Sequence, residues 1–313
     1  MMKRLLLLPL LAGTLSTCRE QPLAVADPTF TATVRQPTYG AHPPRILFDE
    51  GHNNGHTTRG TYRPFAALLE HDGCPLTVSD GPITGPALAG CDIYVVANAR
   101  GTGDLNDTPA FTEPECAAIA AWVTQGGALL LIADHYPMGA AVDRLARKFG
   151  VQMQQGLVQD SVHHDPSSTD ESQLVFSRAN HLLAACALTE GVAQVVTYTG
   201  QSLRCDAPCV SFLNLSDAAY DLTARPVVVR DGPDTRVNVT FDHPQSAKGR
   251  SQGLARVVGQ GRVVVLGEAA MLSAQLTRDH TKFGMNANPD NQQLALNIIH
   301  WLAARPAAPG RRE

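Results

Sequence analysis

The sequence is poor in aromatic residues, carries no basic excess and has no long apolar run beyond its first residues. Aromatics make up 5% of the 313 residues, and the formal net charge is −4. Such a chain offers neither a stacking platform for bases nor a field that gathers phosphates, which argues against nucleic acid as a partner. No segment after Leu11 is apolar enough to span a bilayer. No G-x-S-x-G nucleophile elbow is present either. What remains is ordinary: 44% apolar residues, enough for a sizeable core in one large domain or two small ones.

The N-terminus follows a different logic. Met1-Met2-Lys3-Arg4 is a basic start, and Leu5 to Leu11 is an apolar stretch too short to cross a membrane comfortably. This is the pattern of a secretory signal. Leu15-Ser16-Thr17-Cys18 follows and resembles a bacterial lipobox, which makes Cys18 the expected lipidation site; Thr17 departs from the usual small residue before that cysteine. Residues 1–18 are therefore read as a signal peptide of the lipoprotein type, and the mature protein as exported. Six cysteines remain besides Cys18. In an oxidising compartment Cys205 and Cys209 can close a small disulfide loop. The alternative for all six is plain buried thiols.

Residues 19–44 are rich in Pro, Thr and Ala without apolar period, as a linker would be. Residues 305–313 have the composition of a disordered tail. Between them, residues 45–304 alternate aliphatic runs with helix-spaced segments. Tyr62, Phe65, Ala66 and Leu69 predict a helix stopped at Gly73. Thr112 with Glu115 three positions on is a capping-box pattern. Leu294, Ile298, Trp301 and Leu302 predict a closing helix. This alternation implies an α/β fold with a mostly parallel central sheet. Short β-like runs between Val192 and Phe241 add strands in the second half. The polar stretch from Gln155 to Ala179, with His163-His164-Asp165, reads as a lid or a solvated loop.

The reactive side chains cluster just after the aliphatic runs. Arg45 to Phe48 leads into Asp49, His52 and His56; Ala128 to Ala133 leads into Asp134 and His135; Arg262 to Gly267 leads into Glu268. The C-terminal ends of parallel strands share one edge, and ligands bind in the crevice beyond it. Asp49, His52, Asp134, His135 and Glu268 form the expected catalytic set, and Asn53, Asn98, Arg100 and Asn291 the expected substrate contacts. Imidazole and carboxylate together suit either general acid–base chemistry or a divalent metal such as zinc, with His52, His56 and Asp134 as ligands. The competing readings are structural. Asp134 caps the helix that follows, Glu268 binds a helix N-terminus, and the Gly/Asn-rich segment from Asp49 to His56 is a turn.

Phe48-Asp49-Glu50-Gly51-His52-Asn53-Asn54, Ala133-Asp134-His135 and Leu266-Gly267-Glu268-Ala269-Ala270-Met271 together resemble an exported bacterial branch of the class I glutamine amidotransferase-like superfamily. ThuA-like proteins and the GIFT domains of ciliary transport proteins are its relatives. The resemblance implies a flavodoxin-like three-layer sandwich. Where true class I amidotransferases carry a nucleophilic cysteine on a strand-to-helix elbow, this chain has Asp134-His135-Tyr136-Pro137, so thiol chemistry is not expected. Two functions stay open: a hydrolase-like envelope enzyme acting on a small polar or saccharide-like substrate, or a non-catalytic ligand-binding or scaffold lipoprotein. Convergence of titratable groups in one pocket favours the first. Their burial as satisfied structural pairs, with an exposed apolar patch, favours the second.

Overall fold

A computed structural model describes residues 24–102, 109–231 and 234–304. The segment expected as a signal peptide, with Cys18, and the tail 305–313 lie outside the described residues.

The aliphatic runs become strands of one mixed nine-stranded sheet. Five are mutually parallel, in the spatial order Leu76–Ser79, Ile46–Asp49, Ile93–Ala97, Ala128–Ile132 and Gly261–Leu266. Beyond Gly261–Leu266 the sheet continues antiparallel through Ser251–Val258, Leu203–Cys205 and Val151–Met153, with Val210–Asn214 also on Ser251–Val258. Successive residues of a strand point to opposite faces, and the sheet divides its core accordingly. Ile46, Phe48, Val95, Leu130, Ile132, Val264 and Leu266 join one apolar cluster. Leu47, Tyr94, Val96, Leu129, Leu131, Val263 and Val265 join the other. Full burial of one such aliphatic side chain is worth roughly 1.5–3 kcal/mol.

Five helices cover these clusters: α1 (Arg63–His71), α2 (Gly85–Ala89), α3 (Glu113–Thr124), α4 (Met138–Arg147) and α5 (Pro289–Ala303). Phe65, Leu68 and Leu69 of α1 and Leu294, Ile298 and Ile299 of α5 enter the first cluster. Leu88 of α2, Ile119 and Val123 of α3, and Val142 and Leu145 of α4 enter the second. The expected stop signals operate: α1 ends before Gly73, whose φ of 91° only glycine adopts freely. Thr112 and Glu115 form the capping box of α3.

The second half adds antiparallel structure. Ala219–Asp231 and Asp234–Ser246 form a long hairpin, and Leu157–Asp160 pairs with its base. Gln194–Val196 pairs with Val175–Ser177. The polar stretch expected as a lid is pinned locally, because Asp160 accepts the backbone N–H groups of Val162 and His163 and the hydroxyl of Ser216.

From residue 24 on, the segment expected as a linker is part of the body instead. Val25–Ala26 pairs with Ala274–Leu276, Ala32 is buried in the core, and Gln292 of α5 donates to the Thr33 carbonyl. Its Pro and Thr content supports extended chain, and extended chain can dock as an edge strand.

Candidate functional site

All three aliphatic runs deliver their acidic groups to one edge of the parallel strands, as the shared direction requires. At that edge the groups separate into two networks, one on each face of the sheet.

The first network centres on His52. Its Nδ1 donates to Asp49 Oδ1 at 2.7 Å, and its Nε2 donates to Glu115 Oε1 at 3.1 Å. Asp49 is fully buried and also accepts from the Tyr94 hydroxyl at 2.8 Å and from Asn54 Nδ2 at 3.0 Å. Glu115 receives the Ile83 N–H on Oε1 and the Thr112 N–H and hydroxyl on Oε2. The imidazole lies 4.0 Å from the Phe111 ring centre. Ionised carboxylates only accept, so an imidazolium, with hydrogen on both ring nitrogens, is the form that satisfies both contacts. Burial alone would push the His52 pKa down; Asp49 and Glu115 outweigh it and raise the pKa. Burial would likewise raise Glu115, but the Thr112, His52 and Ile83 donors bring it down to about 2. A ring held on both sides has no free nitrogen to take a proton from a substrate.

The second network lies on the α1/α5 face. Asp134 Oδ2 accepts from Asn98 Nδ2 at 2.6 Å and its Oδ1 from the Ala269 N–H at 2.7 Å, while its own N–H donates to Asn98 Oδ1. Asn98 can reach across because it turns the chain at φ 49°, a conformation asparagine tolerates. Asp134 is thus a bridge between strand ends and not the cap of α4, whose N-cap is Pro137. Glu268, fully buried, accepts the Ala270 N–H at 2.5 Å and the Met271 N–H at 2.8 Å. The helix-terminus reading of Glu268 is therefore the observed one. Burial pushes its pKa well up and the charge of Asp134 adds to this, against the Met271, Ala270 and Tyr198 backbone N–H donors.

Tyr62 donates to the Ala269 carbonyl at 2.7 Å and stacks on His56, ring centres 4.6 Å apart. His56 Nδ1 and the Thr61 hydroxyl share a hydrogen bond of 2.5 Å. Burial lowers the His56 pKa; Asp134 pulls it up and Arg100 pushes it down. Arg100 is exposed and lies over Gly55, where even a Cβ would come within 2.9 Å of its guanidinium.

The space between these strand ends is filled by a residue that sequence reasoning passed over. Gln201 is fully buried. Its Nε2 donates to the carbonyls of Ala133 at 3.0 Å and Asp134 at 2.8 Å, and its Oε1 accepts the Gln155 N–H at 2.8 Å. Its own N–H binds the Gly267 carbonyl at 2.8 Å. The amide thus sits at the turn between Ala128–Ile132 and α4, bound to the carbonyls of Ala133 and Asp134. α4 admits it through Gly139, whose missing Cβ would fall 2.3 Å from Gln201 Nε2.

The remaining expected residues scatter. His135 Nδ1 hydrogen-bonds the Tyr136 carbonyl, and its ring meets Phe241 of the hairpin edge-on at 5.4 Å. Asn53 is exposed at φ 52°. Asn291, expected to contact substrate, is instead buried in α5, where it exchanges two hydrogen bonds with the Val196 backbone and ties that helix to its strand. Among the described residues no three His, Cys, Asp or Glu side chains are arranged to hold an ion. His52 is engaged by two carboxylates, His56 faces Thr61 and Tyr62, and each oxygen of Asp134 accepts one hydrogen bond, from Asn98 and from the Ala269 N–H. Cys205 and Cys209 form the expected disulfide. Cys91 and Cys116 are buried thiols on the α3 face, their pKa values pushed up by burial to about 12 and about 11. A cavity of about 1120 Å³ opens at the opposite edge, among Tyr39, His42, Arg45, Asp92, Arg262 and Leu302. It collects none of the expected residues.

Glu115 and Tyr94 were also missed as members of the site. The capping box had marked Glu115, and an N3 side chain of a helix starting at the strand ends faces the same edge; that was the available signal.

No protein-family model matches the chain, and no curated protein sequence matches it. Among solved structures it is similar to the mmIFT52 N-terminal domain: TM-score 0.60 at 14% identity, over 84% of this chain and 99% of that one. The two share a fold. ThuA-like proteins from Bacteroides uniformis (13% identity, 85% and 93% covered, TM-score 0.39) and Parabacteroides merdae (11%, 84% and 91%, 0.41) overlap it more loosely.

Proposed function

We propose that this chain is an exported, lipid-anchored ligand-binding or scaffold protein built on an amidotransferase-like, flavodoxin-like three-layer sandwich that has left catalysis behind. The observation that carries this is Gln201. Its amide occupies the turn after Ala133, where the resemblance would place a nucleophile, and is engaged by hydrogen bonds through both ends. The two apolar clusters on opposite sheet faces support the sandwich, and the likeness to the mmIFT52 N-terminal domain supports the superfamily. The Cys205–Cys209 pair suits an oxidising compartment. Small polar or saccharide-like envelope molecules are the ligand class that the exposed rim at Asn53 and Arg100 fits.

The test is a turnover screen of the purified protein on chromogenic esters, amides, glycosides and phosphate esters. The expected result is no hydrolysis beyond buffer. Hydrolysis that disappears in Asp134→Asn or His56→Ala would overturn the reading. A hydrolytic alternative keeps one specific support: burial lowers the His56 pKa, which favours the neutral imidazole that a general base requires, and the charge of Asp134 reaches it.

A further inference from the structure

We infer that the hairpin Ala219–Asp231/Asp234–Ser246 is a self-association arm, in which the outer edge of Asp234–Ser246 pairs antiparallel with the same edge of a second copy about a two-fold axis at Val239. This goes beyond ligand binding and does not depend on it.

The hairpin has two unlike faces. Directly opposed residues share a face. The pairs Ala224 with Phe241, Pro226 with Val239 and Val228 with Val237 put six apolar residues on one side. The pairs Thr223 with Asp242, Arg225 with Thr240 and Val227 with Asn238 make the other side mostly polar, with an Arg225–Asp242 ion pair at 2.6 Å. On the apolar side Val228 is 41% exposed. Only the base of the arm is covered: Leu157–Asp160 pairs with Ala219 to Leu222, and Phe241 meets His135. From Thr223 outward the arm is a two-stranded ribbon, which is marginal in water without a third strand or a cover.

Its free edge is protected only near the base, where His243 turns at φ 52° and Pro244 follows. Among the described residues, Asp234–Ser246 pairs with no strand but Ala219–Asp231. From Thr235 to Phe241 that edge contains no Pro and no Lys, the residues that commonly block edge pairing. The sequence is moreover self-complementary about Val239. A two-fold there sets Val239 against Val239, Val237 against Phe241, Asn238 against Thr240 and position 236, an arginine, against Asp242 of the second copy. Apolar residues meet apolar ones on one face, and opposite charges meet on the other. Shifting the axis by one residue to Asn238 sets Asp234 against Asp242, which is repulsive. The result is a four-stranded sheet with one continuous apolar face. The second copy is the occupant that this charge pattern selects.

The test uses the full chain. Light scattering should give twice the chain mass for the wild type and the single mass for Arg236→Glu, with unchanged circular dichroism. Val239→Cys places two thiols at the axis, where opposed Cα atoms come within disulfide reach. Mild oxidation should link it into a doubled band on a non-reducing gel. Val227→Cys, on the inner strand at a wild-type exposure of 52%, should stay single. The proposal is overturned by a wild type of single mass, by Arg236→Glu retaining the doubled mass, or by Val227→Cys linking as readily as Val239→Cys.

Discussion

At His52 a single side chain determines how the α3 face of the sheet edge responds to acid and base. The folded pKa of His52 is raised above 6.5 and that of Glu115 is lowered from 4.5 to about 2. The imidazolium contribution to stability is complete below pH 6.5 and is lost as pH rises through the higher folded value. The Glu115 contribution is complete above pH 4.5 and is lost as pH falls towards about 2. Their sum is greatest between these ordinary values. His52→Gln leaves the buried Asp49 and the half-buried Glu115 without their shared cation, a loss at or below the low end of the about 3–5 kcal/mol for breaking a buried pair. Thermal melts of wild type and His52→Gln should therefore differ most between pH 4.5 and 6.5, with the gap narrowing on both sides. A gap independent of pH would mean that the ring is neutral.

At the scale of elements, α4 and the segment carrying Gln201 are fitted to each other. In Gly139→Ala the new methyl displaces the Gln201 amide and endangers its three side-chain hydrogen bonds. Each such bond is worth about 1 kcal/mol, against about 1 kcal/mol gained from alanine's helix propensity. Denaturant unfolding should show Gly139→Ala less stable by about 1–2 kcal/mol. In the Gln201→Ala background the same substitution should be neutral or stabilising; additivity would refute the fit. This lock was not legible in the sequence. The strand runs, the α1 stop at Gly73 and the Thr112–Glu115 box were, because each is written in residues close together in the chain. Gln201 meets Gly139 across 62 positions, 201 − 139, and no local pattern announces that. Asn291 misled for the same reason: a polar residue on an apolar helix reads as functional until its backbone partner at Val196 is seen. The Asp49, Asp134 and Glu268 placement was legible as one sheet edge, but which face each served depended on the pleat.

For the whole molecule, the export reading has a direct check. With the lipobox intact the protein should fractionate with membranes, and Cys18→Ser should release it to the soluble fraction. Equal distribution of the two forms would remove the lipid from the account. The fold constrains what such an anchor can do. The body begins by residue 25, where Val25–Ala26 is already paired to Ala274–Leu276. Only 19 to 24, at about 3.5 Å each when stretched, are left to act as a leash. That is roughly 20 Å of reach. If Cys18 carries a lipid, a protein moored so tightly rides on the bilayer with one flank turned towards it, and meets what comes to that surface.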